Sequence, residues 1–165
     1  MKKTGLLLIF GLLCSLSLSA ATVSVLVLET GLPPGNGCTP SAEVWESGMM
    51  DAFFDAGHIV SNAPCQQIVS AAYGATKGLP MEAGSDFDQA RIGGADFFIL
   101  VLLNYQGDIS ENPTKEICIR VFQVSSGDLL YETQLTRRAW ENIDEEFFFA
   151  KQNAGKILPV LVKKG

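Results

Sequence analysis

The chain is poor in the residue types that build catalytic and metal sites. His58 is its only histidine, and no Cys-x-x-Cys pair occurs, so the ligand spacing of a zinc site is absent. A Gly-x-Ser-x-Gly sequence and a P-loop lysine are also missing, which removes common signatures of a hydrolase and of a nucleotide-binding loop. These absences predict a protein that is not an enzyme and that holds neither a metal ion nor a cofactor.

Basic residues are few as well. Lysine and arginine number 12 against 18 aspartates and glutamates, which gives a formal net charge of −6 at pH 7. Such a surface repels phosphate backbones and anionic lipid headgroups. We therefore expect neither nucleic acid nor a charged membrane surface as a partner.

The first residues have the pattern of a secretory signal peptide. Lys2 and Lys3 form a positive start, Gly5–Leu18 is apolar, and small residues follow. We expect cleavage after Ala21, with cleavage after Ala20 as the alternative, and a retained membrane anchor as the less favoured interpretation. Residues 1–21 are then a leader and residues 22–165 one domain without a membrane span. We expect the mature protein to be periplasmic or secreted.

Apolar and β-branched runs predict the strands of a sheet. Thr22–Glu29 is the first strand, and His58–Ser61 is the second. Phe97–Leu103 is a continuous apolar run between turn signals, which indicates a central strand buried on both faces. Glu116–Val124 and Leu129–Thr136 flank a Ser-Ser-Gly-Asp turn and predict a hairpin with polar residues on its solvent face.

Capping residues and helix breakers predict three helices. Thr39, followed by proline, opens the first helix, and Gly57 ends it. Ser85 opens a short helix that leads into the central strand. Asn142 caps the last helix, which Pro159 bends or ends. A strand, a crossover helix and a strand imply a right-handed parallel unit.

Apolar residues at helical spacing form an arc on the first helix and a stripe on the last. The arc contains Ala42, Trp45, Met49, Ala52, Phe53 and Ala56, and the stripe contains Ile143, Phe147, Ala150, Ala154, Ile157 and Leu161. Four apolar side chains do not fit these apolar stripes of the first and last helices. They are Met50, Phe54, Phe148 and Phe149. Either the core wraps further around these helices, or the four side chains form an exposed patch that binds a partner. A wider core is the commoner arrangement, and we name the four residues as candidate partner-binding residues.

The cysteines after the leader suggest one disulfide. Cys38 and Cys65 follow the carboxyl ends of the first two strands, which meet at one edge if the strands are adjacent and parallel. A bridge between them is favoured in an exported protein, and two unpaired thiols in loops are the alternative. Cys118 lies inside a strand and is predicted to be a small buried residue.

Three further features have plain structural explanations. The glycine-rich residues 35–37 form part of a phosphate-binding pattern, but a flexible turn is the simpler interpretation. His58 lacks the nucleophile and orienting acid that a catalytic base needs. The acidic residues that begin the second and third helices are accounted for by the helix dipole.

Three sequence segments resemble those of a known group of proteins. They are the opening strand Thr22–Leu28, the Gly-Ala-Asp-Phe-Phe-Ile sequence of Gly94–Ile99, and the hairpin Ile119–Leu130. The chain resembles the group formed by the curli-secretion protein family, the TolB amino-terminal domain and the lipoprotein activators of penicillin-binding proteins. The resemblance implies an α/β fold with a single five-stranded mixed sheet, order 2-1-3-4-5, and helices on both faces. This chain differs from the lipoprotein members because it has no usable lipobox.

The resemblance also implies a non-enzymatic role in envelope assemblies. The leading prediction is an exported protein-interaction module of a bacterial cell-envelope system, with an envelope protein as its partner. The alternative is a small-molecule binding protein that uses the carboxyl edge of the sheet, where open α/β sheets place ligands. An enzyme ranks last, and the oligomeric state is left open.

Overall fold

A computed structural model describes residues 20–33, 37–68, 74, 76–106, 114–138 and 142–161. The predicted leader lies outside these ranges except for Ala20 and Ala21. In chain order the elements are β1 (Thr22–Thr30), α1 (Pro40–Asp55), β2 (Ile59–Asn62), β3 (Gln66–Gln67), α2 (Gly84–Ile92), β4 (Phe97–Gln106), β5 (Thr114–Gln123), β6 (Leu129–Arg138), α3 (Ile143–Ile157) and a 3₁₀ turn (Leu158–Leu161). No helix in the described ranges has the length and apolar character needed to span a bilayer.

The strands form one mixed sheet in the order β2-β1-β4-β5-β6. β1 is parallel to β2 and β4, whereas β4, β5 and β6 are antiparallel neighbours. When the strands are numbered without the short strand β3, this is the predicted order 2-1-3-4-5. The added strand β3 pairs with the end of β1 through Gln66 and Gln67. Sequence reasoning missed β3 because two glutamines carry no apolar pattern.

The central strand β4 explains why its sequence has no polar alternation. Its residues point alternately into two separate cores. The first core contains Phe97, Ile99, Val101 and Leu103, and the second contains Phe98, Leu100 and Leu102. Because both faces of β4 are covered, apolar side chains are favoured at every position.

Helices α1 and α3 cover the first face of the sheet and enclose the larger core. The predicted arc of α1 is buried at Ala42, Trp45, Met49, Ala52 and Phe53. Ala150, Ala154, Ile157 and Leu161 continue this core from the end of the chain. The predicted stripe of α3 fails at Ile143, which is 57% exposed, because it is the first residue of α3 and lies before the part of the helix that joins the first core.

Gly48 sets how closely α1 and α3 approach each other. A Cβ atom at this position would lie 2.8 Å from Cβ of Ala150 and 2.9 Å from the carbonyl oxygen of Phe147. Both distances are shorter than real Cβ contacts, so no larger residue fits without movement of a helix. Gly48 is buried although the apolar pattern did not include it.

Helix α2 covers part of the opposite face. The ring of Phe87 packs edge-on against Phe98 and Phe122, with centroid separations of 5.4 and 6.2 Å. Leu79 and Ala83, from the segment before α2, complete this second core. The prediction of helices on both faces is confirmed.

The ends of the helices follow the predicted signals in three places. Gly57 has φ +85° immediately after α1, a conformation that glycine adopts at little cost. The side chain of Asn142 accepts a hydrogen bond of 2.9 Å from the backbone N–H of Asp144. Helix α3 ends at Ile157, and Pro159 lies in the 3₁₀ turn that follows.

Two predicted caps were wrong in detail. Thr39 is at the N-cap position of α1, but its side chain bonds Glu29 of β1 instead of the helix amides. The N-cap of α2 is Ala83, two residues before Ser85, and no side chain caps this helix. The backbone N–H of Phe87 reaches the carbonyl oxygen of Ala83 at 2.9 Å, so the helix starts two residues earlier than the capping sequence indicated.

The hairpin has only one polar strand. On the solvent-directed positions of β6, Glu132, Gln134 and Thr136 are exposed, as predicted for an edge strand. The same face of β5 is buried at Cys118, Arg120 and Phe122. The prediction of a polar solvent face was therefore wrong for β5, because the segment before α2 covers it.

Candidate functional site

The four candidate partner-binding residues divide into two pairs. Phe54 on α1 is 72% exposed, and Phe148 on α3 is 68% exposed. Met50 and Phe149 are half-buried and pack against the first core. The ring of Phe149 meets Trp45 edge-on at 5.9 Å, so most of its surface is already used inside the protein.

A buried carboxylate fixes the first turns of α1 and α3 together. Glu146, at the start of α3, is 4% exposed and accepts hydrogen bonds from the Trp45 indole N–H, at 2.8 Å, and from the Ser41 hydroxyl. The helix dipole alone therefore does not explain this residue. Sequence reasoning missed the contact because Glu146 has the same local pattern as the exposed acids Asp144 and Glu145.

An ion pair joins the same two helices further along. The ammonium of Lys151 on α3 donates to Asp51 at 2.5 Å and to Asp55 at 2.8 Å, both on α1. These two hydrogen bonds raise the pKa of Lys151 above its usual value. The contacts at Glu146 and Lys151 show that α1 and α3 run in the same direction.

Exposed acids lie on both of the helices that carry the two exposed phenylalanines, and α3 also carries the exposed Lys156. Helix α1 contains no lysine or arginine, and its Glu43 and Asp55 are exposed. Helix α3 adds the exposed acids Asp144 and Glu145. We call Phe54, Phe148 and these four acids the outer helical surface.

A second polar cluster fills the carboxyl edge of β1 and β4. Glu29 is fully buried, and its carboxylate accepts hydrogen bonds from the Tyr105 hydroxyl at 2.8 Å, the Thr39 backbone N–H at 2.8 Å, and the Thr39 hydroxyl. Burial is the main cause that raises the pKa of Tyr105 above its usual value. These side chains occupy the edge where the alternative prediction placed a ligand.

The structure joins Cys38 and Cys65 in a disulfide with a Cα–Cα distance of 6.2 Å. Their sulfurs and one Glu29 oxygen lie within 4.8 Å of one another, a spacing that resembles a metal-ligand set. A metal ligand needs a free thiolate, which these bonded sulfurs do not offer. The cluster at this edge is therefore structural in its oxidised form.

A cavity of about 630 Å³ lies on the α2 side of the protein. It is lined by Gly74, Thr76, Leu79, Pro80, Met81, Gly84, Phe87, Asp88 and Arg91. Asp88 and Arg91 pair with each other at 2.8 Å, so the charges at this cavity balance. Sequence reasoning missed the cavity because most of its lining comes from a segment without apolar periodicity.

A buried arginine holds that segment against the sheet. Arg120 is 6% exposed, and it donates to the Glu132 carboxylate at 2.8 and 3.1 Å and to the Gly78 carbonyl at 2.8 Å. The hydrogen bond from Arg120 is the main cause that lowers the pKa of Glu132. Nearby Cys118 is buried, as predicted, and burial raises the pKa of its thiol to about 11.

His58 has a backbone partner. It is half-buried after α1, and its Nδ1 accepts a hydrogen bond of 3.2 Å from the backbone N–H of Ala21. The backbone N–H of the next residue, Thr22, donates to Asp96 at 3.0 Å. These two contacts hold the start of β1 in place.

Comparisons with known proteins concern the fold. No protein-family model matches the chain, and no curated protein matches it. The PelC dodecamer from Paraburkholderia phytofirmans is 18% identical, with a TM-score of 0.47 over 88% of this chain and 90% of that chain. TolB from Acinetobacter baumannii is 10% identical, with a TM-score of 0.46 over 86% of this chain and 28% of that chain. The LpoB C-terminal domain from Salmonella enterica is 14% identical, with a TM-score of 0.43 over 80% of this chain and 93% of that chain.

TolB and LpoB represent two of the groups that the sequence resembles. The fold itself is established by the strand order and by the helices on both faces of the sheet.

Proposed function

We propose that this chain is an exported, non-enzymatic protein-interaction module of a cell-envelope system. The observation that carries the proposal is the exposure of Phe54 and Phe148 on two helices that are fixed to each other. Large aromatic side chains on a rigid surface supply much of the binding energy in protein interfaces, because they lose little conformational freedom on binding. Removal of one such anchor typically costs about 2 kcal/mol or more of binding free energy.

The charges of the outer helical surface define the partner further. Glu43, Asp144 and Glu145 would face a basic rim, since opposite charges at the edge of an interface speed association. Asp55 is already paired with Lys151. The partner is therefore a protein with apolar pockets for two phenyl rings and with lysine or arginine around them. Such association weakens as the ionic strength rises.

Crosslinking in intact cells, followed by affinity purification and mass spectrometry, tests this proposal. We expect one stoichiometric envelope protein, which is lost in Phe54→Asp and in Phe148→Asp while the melting temperature stays that of the wild type. Ile92→Asp is the matched control because Ile92 is 77% exposed on α2, on the opposite face. Recovery of a free monomer, or equal losses in all three variants, would contradict the proposal.

The cavity beside α2 supports a second candidate, a small-molecule binding function. Its position differs from the predicted one, since the carboxyl edge of β1 and β4 is filled by Glu29, Thr39 and Tyr105. A volume of about 630 Å³ and a partly apolar lining suit a compact apolar ligand. This candidate needs no partner protein.

Binding of anilinonaphthalene sulfonate tests the second candidate. We expect the dye to bind the folded protein and to raise its melting temperature. Gly84→Leu places a side chain in the cavity and should abolish both effects. Gly155→Leu should preserve them, because Gly155 faces open space on α3. Equal dye binding by both variants would exclude the cavity as the site.

A further inference from the structure

Ala21 is part of the folded domain. This residue is fully buried and belongs to the first core, whereas Ala20 before it is exposed. The carbonyl oxygen of Ala21 accepts a hydrogen bond of 3.0 Å from the backbone N–H of Ile59. This bond begins the pairing of β1 with β2, so Ala21 contributes both to the core and to the sheet.

Two adjacent amide groups at this point have different side-chain acceptors. The N–H of Ala21 donates to the imidazole Nδ1 of His58, and the N–H of Thr22 donates to the carboxylate of Asp96. Asp96 also donates its own N–H to the Thr22 carbonyl at 2.8 Å, which begins the pairing of β1 with β4. Each of the two cleavage positions considered from the sequence would turn one of these amides into a new ammonium group.

Cleavage after Ala21 would place the ammonium of Thr22 against the Asp96 carboxylate. It would also remove a buried methyl group, the acceptor of the Ile59 N–H and the donor to His58. Cleavage after Ala20 keeps all three contacts, and the new ammonium of Ala21 lies within hydrogen-bonding distance of the His58 lone pair. A charged donor makes that hydrogen bond stronger than the amide bond it replaces.

We propose that the leader is removed between Ala20 and Ala21, and that the α-amino group released there binds Nδ1 of His58. A host signal peptidase hydrolyses one peptide bond, so that water supplies a hydroxyl to the Ala20 carbonyl carbon and a proton to the Ala21 nitrogen. Alanine precedes the cut in either position. The residue three before the cut is Leu18 for the proposed position and Ser19 for cleavage after Ala21, so the small-residue pattern favours Ala21. The burial and hydrogen bonds of Ala21 favour the position after Ala20. This inference rests on the predicted leader and is independent of the outer helical surface.

Amino-terminal sequencing and intact mass of the exported protein test the cleavage position. The full chain is expressed with its leader in an exporting bacterial host, and the exported fraction is purified. We expect a chain that begins at Ala21. A chain that begins at Thr22 would overturn this inference and leave the export proposal standing, whereas an uncleaved chain that keeps Met1 would overturn both the leader and this inference.

Labelling of the α-amino group tests the contact with His58. In His58→Leu, which has no acceptor, we expect acylation of the amino terminus to be about fivefold faster than in the wild type, the factor that corresponds to one hydrogen bond of about 1 kcal/mol. His58→Gln retains a side-chain acceptor and should stay close to the wild type. Lys156 is exposed and serves as the internal reference. Equal rates in all three proteins would show that His58 does not bind the terminus.

Discussion

The two faces of the sheet are covered in different ways. Helices α1 and α3 together close the first face, and they meet so tightly at Gly48 that a single Cβ atom would clash. On the second face, the nine-residue helix α2 covers a smaller core and leaves a cavity of about 630 Å³ beside it. The same central strand supports both arrangements.

The polar groups that each face buries differ as well. Glu29 and Glu146, on the first face, accept hydrogen bonds from hydroxyl, indole and amide donors. On the second face, Arg120 pairs with Glu132 and also binds the backbone of a loop segment at Gly78. The first face is thus a stiff support that displays two aromatic side chains, while the second face has room to accept a ligand.

The largest expected difference in unfolding free energy is between two variants that each remove one phenyl ring, one from each face of the sheet. Phe53→Ala leaves a closed cavity under α1 and should cost about 3 to 5 kcal/mol of unfolding free energy. Phe87→Ala should cost less, because Phe87 already lines an open cavity that water can enter. Urea unfolding measures both values. Equal costs would mean that the second face is packed as tightly as the first.

Loss of the disulfide should weaken the edge of the first face. Cys38 and Cys65 are 27 residues apart, and a loop of this length predicts a loss of about 3 to 4 kcal/mol in the double serine variant. Thiol titration checks the bond in the exported protein. We expect one reactive thiol after unfolding and almost none before it, since Cys118 is buried and its pKa is raised to about 11. Three thiols in the unfolded, unreduced chain would contradict the bond.

Two glycine-to-alanine variants separate the cost of steric crowding between α1 and α3 from the gain in helix propensity. Gly48→Ala inserts an atom between α1 and α3, and we expect a net loss of about 1 to 2 kcal/mol after the gain in helix preference. Gly155→Ala is the control, because it faces open space and should gain up to about 1 kcal/mol. Thermal unfolding compares the two. A stabilising Gly48→Ala would mean that the helices lie further apart.

The pH dependence of Glu132→Gln gives the smallest effect, on the second face. The pKa of Glu132 is lowered in the folded protein, so its contribution is present above the unfolded value of about 4.3 and is lost as the pH falls through the folded pKa. Glu132 is 38% exposed, so we expect the wild type to exceed the variant by no more than about 1 kcal/mol at neutral pH. The difference should shrink in acid. A difference that is independent of pH would contradict the role of Arg120.

Most element positions could be predicted from local patterns, and the resemblance implied the strand order. The apolar run of β4 and the β-branched residues of β1 indicate strands wherever they stand in the chain. Gly57 and Asn142 mark helix ends because their preferences act within one turn. Ser85 was misleading because the backbone turn before it had already started α2 at Gly84.

The candidate sites were less accessible to sequence reasoning. Phe148 and Phe149 are identical neighbours, yet one is exposed and the other packs against Trp45. Glu145 and Glu146 likewise have the same local setting, and only the second meets Trp45 and Ser41. Which of two adjacent side chains is buried depends on the rotation of the helix about its own axis relative to the neighbouring helix. The local sequence does not specify that rotation.

The sequence by itself determined the strands, the helices, and the four apolar side chains that fit neither apolar stripe, Met50, Phe54, Phe148 and Phe149. Periodicity and turn preferences act over a few residues, so they can be read along the chain. Only the tertiary structure decided the burial of Arg120 and Glu146, the cavity beside α2, and the contact between His58 and Ala21. Each of these joins residues far apart in sequence, and a charged or polar side chain becomes buried only where distant partners satisfy its hydrogen bonds.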